Sequence, residues 1–504
     1  MTMTTRTRLP FILCVTTLLG ACAMGPDYRR PETTPPAAYK EAARSAGWVA
    51  TAALRSGAQT AWWTLYDDTT LNSLEPRVAD ANQSLRAAYY AYQQALALTQ
   101  VARAAEFPTL GADVSASRAK SGSGTFNNNN TNTITSQNSG SGARNTVSVG
   151  LSASWAPDLW GRVRRQVESS AASAAASQAD LAAAQLSLQT TLAQNYFTIR
   201  QLDSQTRLAQ DTVAAYEKSL QLVQNRYHAG VVSQADVAQA ETQLAAARVQ
   251  LSGFGVQRAQ LEHAIAVLVG AAPADFSLPV VTGASALPEP QAIPVGVPSQ
   301  LLLRRPDLAA AERRVSAANA QIGVAESAYF PDLTLSAAAG YRGSSFANLL
   351  SAPNLFWSIG PALAATLFDG GARRAQIAQS EASYQQTVAQ YRQASLVAMQ
   401  QVEDQLAALA IYAEQAREQQ QLVAAAEKAL RLIANQYKAG TVPYLNLLSA
   451  QAALNSAQNG QLQNGGQRLT ASVALIQALG GNWGDASNPA LGDAVLPASS
   501  LTPH

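Results

Sequence analysis

The feature that most constrains this chain is a duplication. The stretch Asn225-Arg226-Tyr227-His228-Ala229-Gly230 recurs as Asn435-Gln436-Tyr437-Lys438-Ala439-Gly440, and the copies stay aligned without a gap from Asn225 and Asn435 to Gly270 and Gly480. In each copy one long helical pattern runs into the glycine and a second runs out of it. Glycine suits that point because it takes the left-handed conformation that closes a helix C-terminus without a Cβ penalty. A helical hairpin used twice is therefore the frame of the fold, and length alone does not set the domain count.

The helices follow from apolar spacing. Ile199, Leu202, Ala209, Val213, Tyr216, Leu220, Val223 and Tyr227 step by threes and fours, with Thr206 filling the one polar position. The second copy keeps the register from Leu409 through Tyr412, Val423, Leu430, Ile433 and Tyr437. The outgoing helix repeats it through Val237, Ala240, Leu244, Ala247, Leu251, Phe254, Leu261 and Ile265. This is an Ala-rich heptad seam, which permits close helix approach while burying little area per residue. By itself the seam is equally compatible with an ordinary helical bundle or a fibrous coiled coil.

Charged residues are 13% of the chain and the formal net charge is +2, against a usual charged fraction of about 25%. Such a chain has no basic surface for nucleic acid, and no basic run is interleaved with aromatics. Its polarity comes from Gln, Ser, Thr and Asn, a composition that suits a neutral, wet lining. His228, His263 and His504 lie far apart, and Cys14 and Cys22 have no metal-ligand spacing and build no disulfide framework. No P-loop, nucleophile elbow or zinc-protease motif is present in the sequence. No enzyme activity, cofactor or metal is expected.

Residues 1–21 read as an export signal, with Arg6 and Arg8 before an apolar core too short to span a membrane. Leu19-Gly20-Ala21-Cys22 resembles a bacterial lipobox, which implies acylation at Cys22; Ala21-Cys22-Ala23 also fits cleavage by ordinary signal peptidase. Residues 22–70 form an extended Pro/Ala-rich arm. The first repeat, 71–270, opens with a helix expected over 71–106 and stopped by Phe107-Pro108.

The period then changes from helical to two. Leu110, Ala112, Val114 and Ala116 alternate with Gly111, Asp113, Ser115 and Ser117. Val147, Val149, Leu151, Ala153 and Trp155 alternate with Ser148, Gly150, Ser152 and Ser154. These are strands at about 108–118 and 145–156, each apolar on one face and small-polar on the other, joined by a low-complexity loop from Ser121 to Gly142. A long helix at about 162–227 and a return helix at about 233–269 follow, and Ser233 with Asp236 can cap the latter.

A proline-punctuated connector, 271–298, leads to the second repeat, 299–480. Its first helix is expected over 299–328, its strands at about 331–341 and 355–368, and its long and return helices at about 370–437 and 443–479. A tail, 481–504, ends the chain.

Strands of this length with one apolar face match bilayer-spanning strands, and soluble hairpins would look alike. If they span, four cannot close: an open sheet in hydrocarbon leaves edge N–H and C=O groups unpaired. Pooling three chains gives twelve strands and room for water. Trp155, Tyr341 and Trp357 lie near strand ends, where an interfacial girdle would place them.

The layout, together with Trp62-Trp63-x-x-Tyr66, Leu303-Arg304-Arg305-Pro306-Asp307, Phe330-Pro331-x-Leu333, Asp369-Gly370-Gly371 and the two Tyr-x-Ala-Gly turns, resembles the TolC-type outer-membrane efflux proteins, and the lipobox resembles their lipoprotein branch. The resemblance spans nearly the whole mature chain. It implies a mostly α protein with a small membrane β part: a homotrimer with a shared twelve-stranded β-barrel in the outer membrane, continued by a long helical-hairpin barrel into the periplasm. It further implies docking at the helix tips onto a periplasmic adaptor and an inner-membrane transporter of the resistance-nodulation-division kind.

The matched gate positions are Tyr437, Lys438, Leu445 and Ser449, where the family commonly carries Asp at the last. The tip positions are Tyr227, Gly230, Asp236 and Gly440. With Ser449 in place of a carboxylate, a gate held by packing of Leu445 and Tyr437 and weakly sensitive to divalent cations is expected. The expected function is the passive outer-membrane conduit of a tripartite drug or solute efflux pump. The competing readings are the channel of a type I protein secretion system and a lipid-anchored coiled-coil spacer without a pore.

Overall fold

The computed structural model describes residues 23–33, 35–41, 61–120, 143–280, 287–289, 293 and 304–481. The export signal and Cys22, the segment from Ser121 to Gly142, most of the connector and the tail beyond 481 lie outside the described residues. The main elements in chain order are α1 (Thr69–Ala81), α2 (Gln83–Ala104), β1 (Thr109–Ala119), β2 (Arg144–Trp155), α3 (Arg162–His228), α4 (Gln234–Leu268), α5 (Pro306–Ser327), β3 (Asp332–Gly343), β4 (Leu355–Ala364), α6 (Ala372–Lys438) and α7 (Tyr444–Ala478). The duplication is metrically exact in its helices: α3 and α6 each have 67 residues, and α4 and α7 each have 35.

Three boundaries differ from expectation. The single helix over 71–106 is two helices, because Asn82 leaves helical geometry (φ −69°, ψ 122°). Its side chain accepts from Leu85 N at 3.0 Å and donates to the Leu268 carbonyl at 2.9 Å. Asparagine offers the backbone a local alternative to the helix, so it ends one helix and caps the next. Within the helix expected over 299–328, Arg304 is helical, Arg305 is not, and the helix runs from Pro306 to Ser327; residues 299–303 lie outside the described residues. Proline at the first helical position has no N–H to leave unpaired. Finally, β4 ends at Ala364 and not at 368, since Ala364 already pairs with Asp332, the first residue of β3.

The chain divides into two compact units, and each draws on both repeats. One comprises residues 1–30, 95–174 and 315–387; the other comprises 31–94, 175–314 and 388–504. The first contains a four-stranded antiparallel sheet of order β1-β2-β3-β4. Its register stacks like on like. Val114, Val149, Tyr341 and Leu355 share one row, and Ala112, Leu151, Ala339 and Trp357 share another. Because successive side chains alternate between faces, every strand turns its apolar set to the same side, with Phe356 of β4 the exception. The large side chains there, including Leu110, Val114, Leu151, Trp357, Ile359 and Leu363, are exposed in the chain taken alone.

At the foot of the sheet the N-terminal arm lies in a close-fitting seat. Met24 N–H donates to the Trp160 carbonyl at 3.1 Å. The Arg165 guanidinium binds the carbonyls of Met24 and Gly25 and the carboxylate of Asp27. A Cβ on Gly25, whose φ is +94°, would collide with Gly323, so only glycine fits there. Trp160 stacks on Phe330 with centroids 4.8 Å apart and donates to the Pro331 carbonyl at 2.8 Å.

The second unit holds the apolar cores. One gathers Trp62, Tyr66, Leu71, Val78, Leu192, Phe197, Ile265, Val402 and Leu469. The other, at the helix ends, gathers Tyr216, Val223, Leu244, Tyr437, Tyr444, Leu447 and Leu448. The connector is tied down at Leu278: Arg258 binds Asp203 (2.7 Å), Glu262 (2.6 Å) and the Leu278 carbonyl (2.8 Å), while Glu262 accepts from Leu278 N–H. Buried Arg305 is likewise held by Asp307, Gln401 and the Ala478 carbonyl at the end of α7. Glu75 is the contrast. It is fully buried and neither carboxylate oxygen has a partner, so desolvation pushes its carboxyl up to about 9.

Candidate functional site at the helix tips

Both tips are built by the same backbone device. At the first, Gly230 N–H donates to Tyr227 O and Val231 N–H to Arg226 O; at the second, Gly440 N–H donates to Tyr437 O and Thr441 N–H to Gln436 O. Each is a Schellman closure around a glycine in the left-handed region, φ +71° at Gly230 and +77° at Gly440. The helices leaving the tips begin differently. Ser233 and Asp236 form a reciprocal capping box at the start of α4, the cap anticipated from their spacing. Pro443 stands in the equivalent place before α7 and caps nothing with its side chain.

The two tyrosines that match in the repeat have opposite surroundings. Tyr227 is 40% exposed; Tyr437 is 1% exposed, packed against Tyr444 at 5.8 Å with a buried hydroxyl that has no partner. Among the expected gate positions, then, Tyr437 sits within its own protomer's core. Leu445 (61% exposed), Lys438 and Ser449 lie on the surface. The Ser449 hydroxyl donates back to the Leu445 carbonyl at 2.9 Å and presents no carboxylate.

Sequence reasoning assigned no role to Arg226, which joins the two tips. Its guanidinium lies 4.5 Å from the centre of the Tyr437 ring and donates to the Tyr437 carbonyl at 2.9 Å. A partly buried cation over an aromatic face, also hydrogen-bonded, fixes that ring. The available signal was the charge difference between Arg226 and its repeat counterpart Gln436. Between the tips lies a cleft of about 460 Å³, lined by Arg226, Gly230, Asp236, Gly440 and Tyr444 among others. Burial raises the phenols of Tyr444 and Tyr216 above their ordinary range, so both stay neutral at any physiological pH. Among the described residues no three His, Cys, Asp or Glu side chains gather as metal ligands, and no helix is long and apolar enough to cross a membrane.

Paired helical hairpins with closed tips, on a chain that also carries a one-sided apolar sheet, have clear relatives. The family model described as outer membrane efflux protein matches residues 76–271 and 297–481. This chain belongs to that family. It is 32% identical over 467 residues to the probable efflux pump outer membrane protein TtgC of Pseudomonas putida, covering 92% of this chain and 94% of the relative. It is also 32% identical over 468 residues to the pyoverdine export outer membrane protein OpmQ of Pseudomonas aeruginosa, covering 92% and 95%. The solved outer-membrane channel OprN superposes with a TM-score of 0.81 at 31% identity, over 92% of this chain and all of that one.

The fold is thus that of the TolC-type trimeric channels, with a helical barrel and four strands per chain, as the motifs implied. The protein is an outer-membrane efflux channel with a long periplasmic helical extension. The names of these relatives describe efflux and export, not catalysis.

Proposed function

We propose that three copies close their sheets into one twelve-stranded barrel and conduct small solutes passively, from a periplasmic adaptor and an inner-membrane transporter of the resistance-nodulation-division kind to the exterior. One observation carries this reading: apart from Phe356, the large apolar side chains of all four strands fall on one largely bare face, while among the described residues β1 and β4 are each paired along one edge only. Unpaired backbone groups in hydrocarbon cost several kcal/mol each, so the edges demand neighbours. Twelve strands enclose water where eight would be filled by side chains. The aromatic placement agrees, with Trp155 at the helix end of the apolar face and Tyr341 and Trp357 toward the loop end.

In this reading Cys22 carries the acyl anchor, and the cleft between the tips, with Gly230 and Gly440 at its mouth, receives the adaptor. Leu445, Lys438 and Ser449 face the constriction, and Tyr437 holds them in place from behind. A gate closed by packing and lacking a carboxylate ring responds weakly to divalent cations.

The test is mass measurement of the detergent-purified protein followed by planar-bilayer recording. A trimer with stable conductance is expected; a monomer, or a trimer that does not conduct, overturns the proposal. Strong block by periplasmic-side divalent cations would overturn the packed gate alone.

A further inference from the structure

The charges of the sheet are segregated along its strands. Between Val114 and Trp155, loop included, the only charged residues are Arg118, Lys120 and Arg144; between Leu333 and Ala364 the only one is Arg342. All four are cations on the loop-ward part of the sheet or just beyond it, and all four are exposed. None of them makes an ion pair with any described residue, and the segment from Ser121 to Gly142 contains no acidic residue that could offer one. The acidic groups sit lower. Asp113 lies mid-strand and accepts from Ser152 at 3.1 Å, and Asp332, at the foot, stands 4.0 Å from Arg162. Asp113 shares the small-polar face one row below Arg342, so in a chain of net charge +2 with 13% charged residues the four cations above it, with no ion-pair partner among the described residues, are the largest local imbalance on the sheet.

The register assigns each cation to a face. Arg342 shares a row with Ser148, which pairs with Ser115, and Arg144 pairs with Ala119; both arginines fall on the small-polar face. Arg118 pairs with Asn145 and falls on the apolar face, beyond the last apolar pair. Arg342 is also held there. Its guanidinium lies 4.9 Å from the centre of the Phe356 ring. Phe356 pairs with Gly340, which pairs with Gly150, and the ring lies 3.5 Å from where a Gly150 Cβ would stand. Two glycines in one row thus leave a flat floor for the aromatic ring, and the ring supports the cation.

Resting on the conduit reading, in which the small-polar face lines the pore, the geometry points to a cationic outer mouth: Arg342 and Arg144 form positive rings that favour the exit of solutes bearing net negative charge. Rings of one sign at a pore mouth focus a potential that concentrates counter-ions, and lumen substitutions tune selectivity without disturbing the lipid-facing surface.

The experiment is the reversal potential of the full-length protein in planar bilayers under a KCl gradient at low ionic strength, where screening is weakest. The variants are Arg342→Glu, Arg144→Glu with Arg342→Glu, and Arg118→Glu as the outward-facing control. The double variant is expected to lower the anion-to-cation permeability ratio by about threefold or more, with single-channel conductance retained and Arg118→Glu near wild type. Should the double variant fail to assemble, the neutral Arg342→Gln is expected to move the ratio in the same direction by a smaller factor. An unchanged ratio in a conducting variant, or an equal shift from Arg118→Glu, overturns the inference and leaves the conduit standing. A wild-type protein that does not conduct overturns both.

Discussion

The two hairpin tips are the same backbone with different contents. Helix lengths, Schellman bonds and glycine dihedrals agree between them, yet the first tip exposes Tyr227 and the second buries Tyr437. The return helices diverge in the same sense. In α4 a few alanines and Leu244 are buried, along with Ile265, whereas α7 buries residues along most of its length, from Tyr444 and Leu447 to Leu475 and Ile476. The incoming helices diverge in the opposite sense, since α3 buries residues from Arg165 to Val223 whereas α6 buries few besides Tyr391, Val402, Leu406 and Tyr437; packing has exchanged the buried and the exposed helix between the two copies. The second tip and the helix leaving it are held by tertiary contacts. The first tip and its outgoing helix rely more on local devices such as the capping box.

The largest effect that sharpens this contrast is at the tyrosines. Tyr437→Ala should cost about 3–5 kcal/mol, as loss of a fully buried aromatic does, and Tyr227→Ala less than about 0.5 kcal/mol. Thermal unfolding of the two variants side by side reads the difference, and equal shifts would break the distinction between the two tips. Tyr437→Phe should be close to neutral, because the hydroxyl it removes is buried without a partner.

A second test concerns a buried, unpartnered carboxyl away from the tips. Glu75 is protonated in the folded protein because burial pushes it up to about 9, while the unfolded chain ionises near its ordinary value. Unfolding between those values releases a proton, so stability falls as pH rises through that window and is unaffected below it. Glu75→Gln removes the dependence. Its stabilisation should be on the order of 2–3 kcal/mol at pH 7 and vanish near pH 4. Melting curves across that range check it; a gain independent of pH would mean Glu75 is charged in place.

Smaller effects follow. Arg226→Ala should lower the local opening free energy of the second tip by about 1–2 kcal/mol, seen as faster amide exchange around residue 437, while Gln436→Ala should leave the first tip unchanged. Ser233→Ala should cost about 1 kcal/mol through its lost cap, and Pro443→Ala less than half of that. Reversal of that order would show that the second tip also depends on local capping.

Much of this was legible in the residues, for reasons that can be located. The long helices followed from three-and-four spacing, and the strands from a switch to period two after Phe107-Pro108 and Phe330-Pro331. The Ser233–Asp236 cap followed from its spacing. The break at Asn82 was not legible, because asparagine is tolerated inside a helix unless a partner makes leaving it favourable. Here that partner is the Leu268 carbonyl, nearly two hundred positions away in the chain. Tyr437 was expected beside Leu445 at a constriction, yet its side chain turns into the protomer under Arg226. Two residues in matching repeat positions carry no mark of which one will meet a neighbour.

Residue order alone specifies periodicity, turn chemistry, the one-sided strands and, through its motifs, the family. Those properties are local: each depends on residues a few positions apart and on the conformations they permit. Tertiary packing alone settles which helix of each hairpin is buried, that Arg226 ties the tips together, and that strand register gathers Arg342 and Arg144 at one end of the polar face. These depend on which distant surfaces meet, and an Ala-rich seam with nearly uniform spacing leaves that choice to packing across the whole fold.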